Sequence, residues 1–116
     1  MANKDLGELE LDLDGELVVL TPSLDACMTI SRMYGGVTNV IPRLTSLDFD
    51  TIVQIIAAGT GRNPSKLLQE KVYKTGVVNV VSTLIDFVAI VNNGGKPTDR
   101  MKKEEKEDKD KANPPL

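Results

Sequence analysis

The feature that most constrains this chain is VVNVVSTLIDFVAIV, residues 77–91, in which only Asn79, Ser82, Thr83 and Asp86 are polar. Its β-branched residues favour a strand. The four polar residues, however, fall at i, i+3, i+4 and i+7, a spacing that lines one face of a helix and no face of a strand. The stretch is shorter than the roughly 20 residues of a membrane span and carries a central carboxylate, so it reads as a helix in water. A helix apolar over most of its circumference must be covered over most of it. Two readings stand at this point. It is either a central core helix or one whose leftover face is a subunit or partner interface, through self-association or a partner helix.

The rest of the chain supplies candidate cover. In GELELDLDGELVVL, Leu9, Leu11 and Leu13 alternate with Glu8, Glu10, Asp12 and Asp14, the period of a half-buried strand. Asp14-Gly15 supplies the turn, and Glu16 to Leu20 resume as a second strand. Such a hairpin needs a surface to pack on. Helices provide it. The spacing and caps predict helix 1 from Pro22 to Tyr34 with Thr21 as its cap, stopping at Gly35-Gly36. A short helix capped by Thr38 follows through Leu44. Asp48 is expected to cap a third helix that buries Phe49, Ile52, Val53, Ile56 and Ala57 on one face. Asn63-Pro64 starts a fourth, which carries Leu67, Leu68 and Val72 and ends at Gly76, and the opening stretch is the fifth.

The expected fold is therefore α+β: an N-terminal β-hairpin packed on a bundle of four to five helices, one domain over residues 1–95. Ile52, Ile56, Leu84 and Val88 are expected to share one core. Surplus apolar surface near the end of the fifth helix makes Leu84, Phe87, Ile90 and Val91 the candidate partner-binding residues. Residues 96–116 hold 13 charged residues and three prolines. They bury too little to offset chain entropy, so a disordered, solubilising tail is expected.

Charge and chemistry narrow the function. Residues 1–95 carry 7 Lys and Arg against 11 Asp and Glu, a net 7 − 11 = −4, which argues against binding a phosphate backbone. There is no His, which removes the commonest general base and metal ligand. Cys27 sits beside Leu24 and Met28 on helix 1 and reads as a buried, inert thiol. The strand carboxylates Glu8, Glu10 and Asp12 lie along a flat face and do not wrap a loop, so they read as a solvated sheet face and not a Ca²⁺ site. GTGRNP lacks the lysine and spacing of a phosphate loop. No cofactor, metal or catalytic constellation is expected, and the chain reads as non-enzymatic. MANKDLGELE lacks the basic start and apolar core of a secretion signal, which with the single cysteine points to a reducing cytoplasm.

The order of elements adds a family. An acidic hairpin, LELDLDGELVVL, leads through TPSLDACMTISRMYGG into IPRL and then into helices that close on a double glycine. Over about residues 6–95 this resembles the gene-transfer-agent and phage tail assembly chaperones, at Gly15, Leu20, Thr21 to Ser23, Ala26, Gly35 and Leu44. Ile30-Ser31-Arg32 departs from the family, where an acidic residue often stands. The resemblance implies a chaperone that binds the tape measure protein, an extended helical polypeptide, and helps recruit tail tube subunits in the cytoplasm of a bacterial host. It also implies departure from the finished particle; a small tail or connector subunit retained there is the alternative. Families of this kind often make a longer product by ribosomal slippage, for which Lys102-Lys103 is the candidate position.

Overall fold

The computed structural model describes residues 2–102. Two strands, β1 (Leu9–Leu13) and β2 (Glu16–Leu20), form an antiparallel hairpin. Five helices follow: α1 (Leu24–Tyr34), α2 (Ile41–Thr45), α3 (Phe49–Thr60), α4 (Lys66–Thr75) and α5 (Val77–Asn92). A 3₁₀ turn over Val37–Val40 leads into α2, and another over Lys4–Leu6 precedes the hairpin. This is the expected α+β arrangement of a hairpin packed on a helical bundle.

Leu13 pairs with Glu16 across a two-residue turn in which Asp14 and Gly15 both have positive φ, 51° and 88°. That geometry matches the twist of the strands and selects residues such as Asp and Gly. Alternation then does what the sequence implies: Leu11, Leu13, Val18 and Leu20 are buried, while Glu10 and Asp12 are exposed. The outer face also carries Leu17, paired opposite Asp12 and exposed to solvent.

Helix starts differ from expectation at three places. Ser23, not Thr21, caps α1, its hydroxyl accepting from Ala26 N. Thr21 is committed elsewhere: its N–H donates to Gly59 O and its hydroxyl to Glu8. In the same way Ser65 replaces Asn63 as the cap of α4, accepting from Leu68 N. Thr38 caps nothing, because its segment is a 3₁₀ turn. At α3, Asp48 holds the cap position, but its carboxylate accepts from the Thr51 hydroxyl at 2.6 Å and from no helix N–H.

The core runs between α3 and α5. Ile52, Ile56, Leu84 and Val88 are all buried in one cluster with the hairpin leucines. α3 is enclosed more completely than its periodicity implied, burying Thr51, Ile55 and Gly59 as well. Phe49, which the periodicity put on the inner face of α3, is 39% exposed, and Leu67 of α4 is 64% exposed. Between α4 and α5 the chain turns by 108° at Gly76. Its φ of 92° admits glycine most readily, and Asn79 Nδ2 folds back to donate to Thr75 O.

After α5, Asn93 donates from its side chain to the carbonyls of Lys96 and Pro97. A further helical turn begins at Asp99, where the Thr98 hydroxyl accepts from Met101 N. The first residues of the expected tail thus carry local hydrogen bonds from the Asn93 side chain and to the Thr98 hydroxyl. Lys103 and the remainder of the charged segment, including the second half of the slippage position, lie outside the described residues.

Candidate interaction surfaces

The four side chains assigned from sequence to a partner surface are in the core. Leu84 and Phe87 are 0% exposed, Ile90 1% and Val91 5%. Their cover is α3 and the N-terminal segment: the position a Gly59 Cβ would take is 3.1 Å from the Phe87 ring, and that of a Gly7 Cβ 2.8 Å from Ile90 Cγ2. In this fold they offer nothing to a partner, and the interface reading at those residues is corrected.

The apolar surface that α5 leaves uncovered lies on another side and is small, since Val81 and Ile85 there pack against the core. Val78 is 67% exposed, and Val81, Ile85 and Ala89 are half-buried. Positions 78, 81, 85 and 89 repeat at intervals of three and four residues and so form one row along the helix. The sequence could not separate this row from the buried one, since apolar residues occupy nearly every face of α5. The polar stripe lies outward as expected, with Asn79 and Ser82 exposed and Thr83 and Asp86 half-exposed. Arg100, on the turn after α5, reaches Asp86 with a guanidinium nitrogen 3.5 Å from its carboxylate.

Alongside the stripe an open groove of about 450 Å³ separates α5 from β1. Glu10, Asp12 and Asp14 stand on its strand wall, Lys74 and Thr75 at the α4 end, Asn79 and Thr83 on α5. The strand carboxylates also organise the chain locally. Glu10 accepts from Ala2 N, Glu8 from Asn3 N, and Asp12 from Gly15 N across the turn.

Glu16, at the inner end of β2, fastens the hairpin to the bundle. Arg62 binds both its oxygens at 3.0 and 3.1 Å, and Lys71 adds a third contact at 2.9 Å. The hydrogen bonds from Arg62 and then Lys71 pull the Glu16 pKa down from 4.5 to about 2. The turn is tied to the same helix, Asp14 N donating to Thr75 Oγ1 at 2.8 Å. Nothing in the sequence pattern singled Glu16 out, because its partners lie 46 and 55 residues away.

Elsewhere, the Arg43 guanidinium stands 5.4 Å over the Tyr34 ring. Burial pushes the Tyr34 hydroxyl above its ordinary pKa. Cys27 is half-buried and unpaired by disulfide. Among the described residues no group of three or more His, Cys, Asp or Glu could hold a metal ion. No single helix there is long and apolar enough to cross a membrane; the bent α4–α5 pair has the length and composition, and it buries Leu68 and Val72 of α4 and six side chains of α5 within the fold.

Comparison with protein-family models, with curated proteins and with solved structures finds no match to this chain. Any functional reading rests on the chain's own residues and on the order of its elements.

Proposed function

We propose that this protein is a non-enzymatic assembly chaperone of phage-like tails, which binds the tape measure protein and helps bring tail tube subunits to it in the host cytoplasm. The observation that carries the reading is the order of its folded elements. An acidic hairpin passes into a helix that ends at Gly35-Gly36, continues through the short IPRL helix, and closes into a bundle around a late apolar helix. A hairpin followed by a first helix that ends at a glycine is what the resemblance implies. Val78 of α5, 67% exposed beside the exposed polar residues Asn79 and Ser82, supports the reading further, because a protein that keeps long amphipathic helices soluble needs exposed apolar surface bordered by polar groups.

Co-expression tests it. The chain, produced together with the long helical polypeptide encoded beside it, should hold that polypeptide in the soluble fraction and co-purify with it. A polypeptide that precipitates to the same extent with and without the chain would remove the proposal.

A further inference from the structure

We propose that the outer edge of β1 is a docking site for an extended, basic segment of a partner protein, which adds to the hairpin as an antiparallel third strand. This goes beyond the chaperone reading, whose tape measure partner is helical. The register fixes which groups are available. Leu9, Leu11 and Leu13 pair with Leu20, Val18 and Glu16. In a hairpin with a two-residue turn the pair that closes the turn exchanges both backbone bonds, and so does every second pair beyond it. The N–H and C=O of Glu10 and Asp12 therefore point away from β2. Among the described residues the sheet has only these two strands, and no other backbone or side-chain group bonds those outward groups. The β2 edge differs, because Thr21 at its end donates its N–H to Gly59 O of α3 at 2.8 Å. Beside β1 lies the open groove of about 450 Å³.

Charge selects the occupant. Residues directly opposite each other in an antiparallel pair share a face, so an added strand sets alternate side chains against those of Glu10 and Asp12. Each of these carboxylates gives one oxygen to a local N–H, that of Ala2 or Gly15, and keeps the other for a partner. Lys or Arg at alternate positions complements them. The positions between turn toward the helical wall of the groove, where Thr75, Asn79 and Thr83 suit uncharged polar side chains. A second copy of this chain is a poor occupant. Pairing β1 with β1 would set Glu10 and Asp12 against their own kind, and like charges directly opposite destabilise a pair and guard an edge against self-association.

Amide hydrogen exchange of the full chain, read residue by residue, tests this with a peptide of about nine residues, the length of a strand, in which lysine and threonine alternate. Without peptide the Glu10 and Asp12 amides should exchange fast and that of Leu11 slowly. Saturating peptide should slow the first two at least about tenfold. A twin with glutamate in place of lysine should bind at least about tenfold more weakly, and Glu10→Lys, at an exposed position, should weaken the lysine peptide about tenfold. Methylating the lysine amides keeps the charge but removes the donors that face β1, and should abolish binding. Methylating the threonine amides, which face away, should weaken it far less. Slow Glu10 and Asp12 amides before any peptide is added would overturn the inference, as would a homodimer that slows them. So would a lysine peptide that does not bind, one that binds without slowing them, or equal binding by the glutamate twin, by the lysine-methylated peptide or to Glu10→Lys.

Discussion

Gly59 of α3 and Phe87 of α5 meet without a side chain between them: a Cβ at position 59 would lie 3.1 Å from the Phe87 ring and 2.9 Å from Leu20 Cδ2. Three elements therefore converge where one of them has no side chain. Alanine is favoured over glycine by about 1 kcal/mol in a helix interior. Here, however, Leu20 and Phe87 are both fully buried and have nowhere to retreat, and overpacking costs about 1 to 3 kcal/mol. Gly59→Ala should lower the urea midpoint, while an unchanged or raised midpoint would mean that α3 and α5 can move apart freely.

Phe87 gives the second prediction. As a fully buried ring it should cost about 3 to 5 kcal/mol when cut to alanine, and Leu84→Ala about 2 to 5 kcal/mol by the same cavity argument. Denaturant unfolding of the two variants measures this. Losses under about 1 kcal/mol would contradict the burial of both side chains and would return Phe87 to the surface where the sequence reading had put it.

That misplacement shows what the sequence carried and what it did not. The hairpin was legible to the residue, because Asp14-Gly15 and the leucine alternation encode turn and register locally. The type of α5 was legible from four polar residues. What covers α5 was not, because its periodicity says how much of the helix must be hidden and not by which neighbour. Two helix starts were placed too early for one reason. In both Thr21-Pro22-Ser23 and Asn63-Pro64-Ser65 the proline precedes the cap and does not follow it. Proline pushes its predecessor toward extended backbone, and the serine beyond is then the first residue free to accept the helix N–H groups.

Glu16 makes stability depend on acid. Its pKa is depressed in the folded chain, so its contribution is complete above the ordinary value of 4.5 and is lost as pH falls through about 2. Glu16→Gln should therefore be less stable than wild type at pH 6, and the difference should shrink between pH 4.5 and 2. Thermal melts of both proteins across that range check it. A difference that stays constant would show that the Arg62 and Lys71 contacts do not discriminate between the charged and neutral side chain.

A chain ending at Gly95 should fold. Among the described residues it loses contacts that include those of Asn93 to Lys96 and Pro97 and the exposed Arg100–Asp86 pair, the pair contributing about 1 kcal/mol or less. Gly95 itself is another matter, since its N–H donates to Ile90 O and its backbone packs against Gly7 and Pro22. Ending at Asn92 should cost clearly more. Equal melting temperatures for the two truncations would contradict the role given to that junction.

The central claim is that the protein builds a tail without becoming part of it, and quantitative mass spectrometry measures that directly. Peptides of this chain should be abundant in lysates of the cells that assemble the particles and absent from the purified particles, while tape measure and tube subunits are present in both. Recovery of the chain from purified particles in many copies would contradict the account and make it a structural subunit.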